Sequence, residues 1–228
     1  MMRQMITRRG LVVSCQAYQG EPLFGADHMA EMALAAELGG AIGIRANGTA
    51  DIAAIKQKVD IPVIGLVKQQ IGNGPVYITP TLQTAIAAYE AGADIVAIDG
   101  TGRERPDGKT LQEVVEALHH RNIAVMADIS TVEEGLYAAQ LGVQYISTTL
   151  SGYTPYSPQC VEPDIELVRK LAQKTAIPVV AEGRFRRSMD MVEALEAGAQ
   201  FVVVGSAITR PQFLTEHYWK AMQDTVKL

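Results

Sequence analysis

A lysine and a glutamate each close a short apolar run, far apart in the chain. Lys68 ends PVIGLVK and Glu182 ends IPVVAE. A neutral amine and a carboxyl facing one pocket suit proton removal beside a carbonyl. The amine must first lose its charge. Its reference pKa of ~10.4 leaves well under about one per cent neutral at pH 7. Burial and a neighbouring cation such as Arg45 favour the neutral form, and an ionised Glu182 opposes it. The two groups are therefore expected to titrate as a unit. Asp128 ends MAD and has the reach of a group that orients a substrate hydroxyl or steadies the charged lysine.

What must position these side chains is a set of alternating elements. One recurring phrase is a helix ending in a small-residue turn that leads into an apolar run: AAELGGAIGIR, YEAGADIVAID, AAQLGVQYIST and ALEAGAQFVVVG. The other is shorter: VDIPVIGLVK, RNIAVMAD and TAIPVVAEG. Gly39, Gly92, Gly142 and Gly198 recur at a spacing of two βα units. With the opening run GLVVSCQ the pattern predicts eight strands and eight helices, hence a single (β/α)8 barrel over residues 1–228. No linker or low-complexity tract divides the chain.

In such a barrel the strand C-termini form the reactive face. The predicted ends are Gln16, Arg45, Lys68, Asp99, Asp128, Thr148, Glu182 and Gly205; all but Gly205 are polar. Strand alternation then predicts Leu66 and Ile64 inward below Lys68, Gly43 and Ala41 below Arg45, and Val180 below Glu182. Two adjacent turns close the pattern: Gly183-Arg184 after strand seven, and Gly205-Ser206 opening a short helix after strand eight. Backbone N–H groups at such turns suit a phosphate.

Other chemistries are disfavoured. The chain has no G-x-G-x-x-G after its first strand, no Walker loop and no metal-ligand spacing. His28, His119, His120 and His217 all fall on predicted helices, so neither metal nor nucleotide cofactor is expected. The formal charge of −5 and the lack of a basic stripe argue against nucleic acid. No apolar run has the length of a membrane span. MMRQMITRR carries no secretory apolar core, and Cys15 and Cys160 read as reduced thiols, which together predict a cytoplasmic protein.

GLVVSCQ, IGIRANG, PVIGLVK, YITPT, DGTGRERPDG, MADIST, STTLSGYTPYS, AEGRF and VVVGSAITR together resemble the N-acetylmannosamine-6-phosphate 2-epimerases, from about Gly10 to beyond Ile208. The resemblance implies a (β/α)8 fold and conversion of N-acetylmannosamine 6-phosphate to N-acetylglucosamine 6-phosphate in bacterial sialic-acid breakdown. It implies catalysis by Lys68 and Glu182. It implies sugar binding by Gln16, Arg45, Asp128 and Arg210, a lid containing Tyr153 and Thr154, and phosphate binding by Gly183, Arg184, Gly205 and Ser206. Two sequence departures, Gly100 after Asp99 and Ile129 after Asp128, leave both aspartates in place. Which of Lys68 and Glu182 removes the proton stays open. So do a Schiff-base aldolase and a non-catalytic phosphosugar sensor on the same scaffold. The final segment carries Phe213, Leu214, Tyr218, Trp219 and Met222 at near-helical spacing. That stripe either packs on its own barrel or meets a second subunit, and the resemblance favours a homodimer.

Overall fold

Left-handed residues end many of the helices and turn the chain back toward the sheet. Gly92 (φ 122°), Gly142 (φ 78°) and Gly198 (φ 107°) each follow a helix in a conformation that a Cβ disfavours. In the first repeat that role falls to Gly40 (φ 98°), whereas Gly39 is still helical. The computed structural model describes residues 3–223 and 225. Within them the strands are β1 Gly10–Cys15, β2 Gly43–Asn47, β3 Val63–Leu66, β4 Ile95–Asp99, β5 Ala124–Asp128, β6 Tyr145–Ser147, β7 Val179–Glu182 and β8 Phe201–Val204. All neighbours pair in parallel, and β8 closes on β1. The expected eight-stranded (β/α)8 barrel is therefore present.

The helices are α1 Ala26–Leu38, α2 Thr49–Lys58, α3 Leu82–Glu90, α4 Leu111–His119, α5 Val132–Gln140, α6 Ile165–Lys174, α7 Ser188–Glu196, α8 Ser206–Thr209 and α9 Pro211–Gln223. The predicted short helix after the last strand is α8. Several helices start at a threonine cap: Thr81, Thr110 and Thr131 each accept from the backbone three residues on, and that third residue returns the bond. Such boxes satisfy N–H groups that the helix leaves open, and so fix where each βα loop ends.

Strand alternation sorts the apolar residues into two layers. Val12, Ile64, Leu66, Ile95, Ala97, Met126, Tyr145, Val180, Phe201 and Val203 fill the barrel interior. Val13, Ile44, Val96, Ile98, Val125, Ile146, Ala181 and Val202 pack outward under the helices. The inward placing of Ile64, Leu66 and Val180 follows the alternation. Ala41 does not: it precedes β2 and joins the outer layer, where strand parity does not apply. From below, Ile6 plugs the barrel. Its N–H donates to the Tyr145 hydroxyl (3.0 Å), which donates back to the Ile6 carbonyl (3.1 Å).

Several strand ends shift: β1, β6 and β8 stop one residue before the predicted end, β3 stops two before it, and β2 runs two beyond Arg45. β6 stops at Ser147, and Thr148–Leu150 form a 3-10 turn. Thr148 is then the outward residue. Its hydroxyl donates to the Glu182 carbonyl (3.0 Å) and accepts from the Glu182 N–H (3.1 Å), stitching β6 to β7. The residue that reaches the mouth is Thr149.

Candidate active site

Arg45 forms the floor of the mouth. Although it carries a charge, its side chain is 1% exposed. Its guanidinium donates to both Asp128 oxygens, Nη1 to Oδ1 at 3.2 Å and Nη2 to Oδ2 at 2.5 Å. Nη1 also lies 3.0 Å from Glu182 Oε2. Burial opposes the Arg45 charge, but Asp128 and Glu182 outweigh it and raise the pKa. For Glu182, burial dominates and raises the pKa. Arg45 opposes this, Asp128 reinforces it, and the Thr149 hydrogen bond and Lys68 oppose it. Glu182 therefore takes up a proton more readily than a solvated glutamate, as a general acid requires.

Lys68 sits on a ledge two residues beyond β3. Its N–H donates to Asn47 Oδ1 (2.7 Å), and it pairs antiparallel with Ile78. The side chain is half-buried and Nζ donates to the Tyr18 hydroxyl (3.2 Å). The sequence placed Lys68 at the end of its strand, with burial and Arg45 favouring the neutral amine. The strand stops earlier, and both Asp128 and Glu182 engage Arg45.

At the other end of the mouth, Gly183 (φ 112°) and Arg184 (φ 63°) are two successive residues with positive φ. For arginine this conformation is strained, and such strain persists where the surroundings demand it. The Arg184 guanidinium does not point freely at the cavity. Nε donates to the Glu162 carbonyl (2.8 Å), Nη1 donates to the Ser151 carbonyl, and the group lies over the Tyr153 ring (5.7 Å). It therefore staples the loop containing Tyr153, leaving its backbone for the turn. Gly205 and Ser206 open α8, and Thr209 anchors that helix by donating to the Ser14 carbonyl (2.9 Å). Arg210 pairs with Glu21 and lies over the Tyr18 ring (5.5 Å). Its Nε is buried with no partner among the described residues.

These groups surround a cavity of about 300 Å³, at the small end of small-molecule sites (roughly 300–1,000 Å³). Gln16, Arg45, Lys68, Tyr153, Glu182, Gly183, Arg184, Gly205, Ser206 and Arg210 all line it. Asp128, expected to hold the sugar, and Thr154, expected in the lid, do not. Asp128 is wholly buried beneath Arg45. Thr154 is also buried, and its hydroxyl donates within the Ser130 and Ser157 hydroxyl cluster that supports the loop. Asp99 likewise lies outside the lining, where Thr101 and Arg103 hold its carboxylate.

Sequence reasoning missed Tyr18, Tyr77, Thr149, Arg186 and Phe213, which also line the cavity. Tyr18 comes two residues after Gln16, so continuing the alternation past β1 finds it. The Tyr77 hydroxyl is pushed up to about 12 by burial, then by Asp128, Tyr18 and Tyr153, against Arg103; it stays a donor at neutral pH. Arg186 belonged to a basic cluster already visible in the chain. The wall thus carries Arg45, Lys68, Arg184, Arg186 and Arg210 against Glu182, although the whole chain is at −5. That local field suits an anionic ligand. Among the described residues, no three His, Cys, Asp or Glu side chains are grouped to hold a metal ion.

Comparison with known proteins points the same way. Residues 29–224 match the family model NanE, described as "Putative N-acetylmannosamine-6-phosphate epimerase". A protein of Caldanaerobacter subterraneus named "Putative N-acetylmannosamine-6-phosphate 2-epimerase" is 54% identical over 92% of this chain and 89% of its own. A Cutibacterium acnes protein of the same name is 46% identical over 94% of each chain. The solved N-acetylmannosamine-6-phosphate 2-epimerase of Clostridium perfringens superposes with a TM-score of 0.92 at 42% identity, over 95% of this chain and 94% of that one.

Proposed function

The chain belongs to the N-acetylmannosamine-6-phosphate epimerase family, and on that premise we propose that it converts N-acetylmannosamine 6-phosphate to N-acetylglucosamine 6-phosphate by moving a proton at C2, as a step in sialic-acid breakdown. The observation that carries the reading is one cavity with Lys68 and Glu182 in its wall and the Gly183-Arg184 and Gly205-Ser206 turns at its rim.

The phosphate sits at those turns, met by backbone N–H groups of Gly183, Arg184 and the first turn of α8. Arg210 exchanges Glu21 for the anion. This anchoring supplies binding energy remote from the reacting carbon. The sugar ring opens, and the C1 aldehyde acidifies the C2 hydrogen. One of Lys68 and Glu182 takes that proton, and the other returns one to the opposite face. Arg45 is engaged by two carboxylates, so its task is to hold Glu182 in place; Gln16 and the Tyr77 hydroxyl are the donors left for the developing enolate oxygen. Tyr153 closes over the sugar. Asp128 serves by fixing Arg45, and Thr154 by bracing the loop.

Deuterium incorporation at C2 during turnover in D₂O tests this directly. The label appears at C2 and persists after chelation and dialysis if the proton moves without a metal; epimerisation with full retention of C2 hydrogen contradicts it. The phosphate site yields a second expectation. Unphosphorylated N-acetylmannosamine loses several charge-assisted hydrogen bonds worth about 1.5–3 kcal/mol each, so its kcat/KM falls at least on the order of 10³-fold. Equal kcat/KM for both sugars contradicts the site.

The protein acts as a homodimer in this reading, in a reducing cytoplasmic setting that two free cysteines suit. The assembly rests on α9. None of its residues is buried, and Tyr218, Trp219 and Met222 are 62%, 43% and 53% exposed. Large aromatic residues of this kind favour interface centres. Light scattering is expected to give about twice the 24.6 kDa chain mass. A single-chain mass across a micromolar dilution series contradicts it. Among the described residues, no helix is long and apolar enough to cross a membrane.

A further inference from the structure

Of the cations in the cavity wall, most are already engaged. Arg45 is tied to Asp128 and Glu182, and Lys68 donates to the Tyr18 hydroxyl. Arg184 donates to the carbonyls of Glu162 and Ser151, and Arg210 pairs with Glu21. Arg186 lines the same cavity, yet among the described residues its guanidinium meets no acceptor. It lies instead 5.3 Å from the centre of the Phe213 ring. The chain on either side fixes where this side chain starts. Phe185 is buried in the outer apolar layer. Arg187 stands at the N-cap of α7 and pairs with Asp190 (Nη2 to Oδ1, 2.5 Å). Phe213 fixes where it ends: its N–H donates to the Arg210 carbonyl (3.0 Å), so the ring lies one helical turn from Arg210.

A phosphate monoester carries about 1.5 to 2 negative charges at neutral pH. The groups assigned to it above balance little of that. The charge of Arg210 is matched by Glu21, the guanidinium of Arg184 is spent on the loop, and backbone N–H groups bring only partial charges. An aromatic face holds a guanidinium through its plane and leaves the N–H fork free. We propose that Arg186 is a further phosphate-binding residue: seated on Phe213, it donates to the phosphate of the substrate at the Arg210 end of the cavity and supplies the full positive charge that the two turns lack. Phe213 is then a positioning residue, acting through the guanidinium. The inference deepens the epimerase reading and rests on it for the identity of the substrate, though not for the binding of phosphate.

Calorimetric titration of the full chain with inorganic phosphate at low salt reads the site without the sugar. Arg186 is exposed and holds no structural bond among the described residues, so its variants fold. Arg186→Gln is expected to raise Kd about tenfold, the size of one charge-assisted pair. Arg186→Lys keeps the charge without the planar fork and falls between. Phe213→Leu removes the ring face and raises Kd about two- to fivefold. In the Arg186→Gln background the same change adds nothing, because the ring acts through the guanidinium. Arg187→Gln removes an equal charge one residue on, outside the cavity lining, and leaves Kd within about twofold. In epimerisation, Arg186→Gln raises KM about tenfold and moves kcat less than about twofold, as a contact remote from C2 does. An unchanged Kd in Arg186→Gln, an equal loss in Arg187→Gln, or a wild type that takes up no phosphate overturns the proposal. Phosphate binding that depends on Arg186 in a protein without epimerisation overturns the epimerase reading and leaves Arg186 as an anion ligand. Epimerisation with a KM that Arg186→Gln does not move has the reverse meaning.

Discussion

Replacing Lys68 by alanine is expected to lower kcat by about 10²- to 10⁴-fold, the contribution of a positioned general acid or base, with the fold intact. The site explains why the fold survives. Lys68 is half-buried on a ledge, and the structural bond it makes there is through its backbone N–H to Asn47. Among the described residues, its Nζ is met by the Tyr18 hydroxyl and ring. Truncation therefore leaves no buried group without a partner. Circular dichroism and thermal melting should match wild type, and exchange of the C2 hydrogen should be lost together with turnover. Near-normal turnover in a folded variant removes Lys68 from the chemistry. Retained C2 exchange with lost turnover instead assigns Lys68 to the return of the proton rather than its removal.

The opposite pattern is expected at Arg45. Methionine there keeps much of the volume and removes the cation. Asp128 and Glu182 are then buried, close to one another, and uncompensated. Breaking a buried ion pair in this way costs about 3–5 kcal/mol, on the order of 10 °C in melting temperature for a chain of this length. The pH dependence carries a definite sign. Without Arg45, Glu182 keeps the burial and the Asp128 charge that raise its pKa and loses the cation that opposes them. Such a group contributes stability at low pH and loses it as pH rises through the folded pKa. The variant should therefore recover stability on acidification and lose it as pH rises through the folded pKa of Glu182, levelling off above that. The same sign already applies to Glu182 in the native protein, whose pKa burial raises against Arg45. Asp128→Asn in the Arg45→Met background should return part of the lost stability, since it removes one of the two stranded charges. Melting curves across pH measure all of this. An Arg45→Met variant as stable as wild type at neutral pH shows that the cluster is solvated and the pairing immaterial.

Much of this molecule is legible in its sequence because the signals are local. Apolar runs of a few residues with polar ends mark strands, and a glycine after each odd helix marks a left-handed turn. These depend on backbone sterics and on side-chain burial, which short stretches of chain decide. The closed barrel follows, since eight βα repeats have few other ways to bury both faces of a parallel sheet. The choice of Lys68, Glu182, Gln16 and the two glycine turns as the mouth also follows, because a strand end faces the loops in every such barrel. At the sixth strand the local signal misplaces a residue at the mouth. The apolar run suggested Thr148, whereas β6 ends early and Thr149 takes the inward place.

What only the tertiary structure decides is which polar ends meet each other. Nothing in IGIR says that its arginine lies buried in the floor of the mouth; that depends on Asp128, 83 residues away, being within reach to replace the water it loses. Nothing in AEGR says that the arginine side chain turns back to the carbonyls of Ser151 and Glu162. The loops decide the rest. Tyr18, Tyr77 and Phe213 come to one wall from three segments that share no sequence pattern. Periodicity describes a side chain relative to its own strand or helix, and a catalytic site is made of relations between strands. The residue types and their heights on the barrel are therefore written in the chain. The pairing of charges that sets their protonation arises only once the barrel closes.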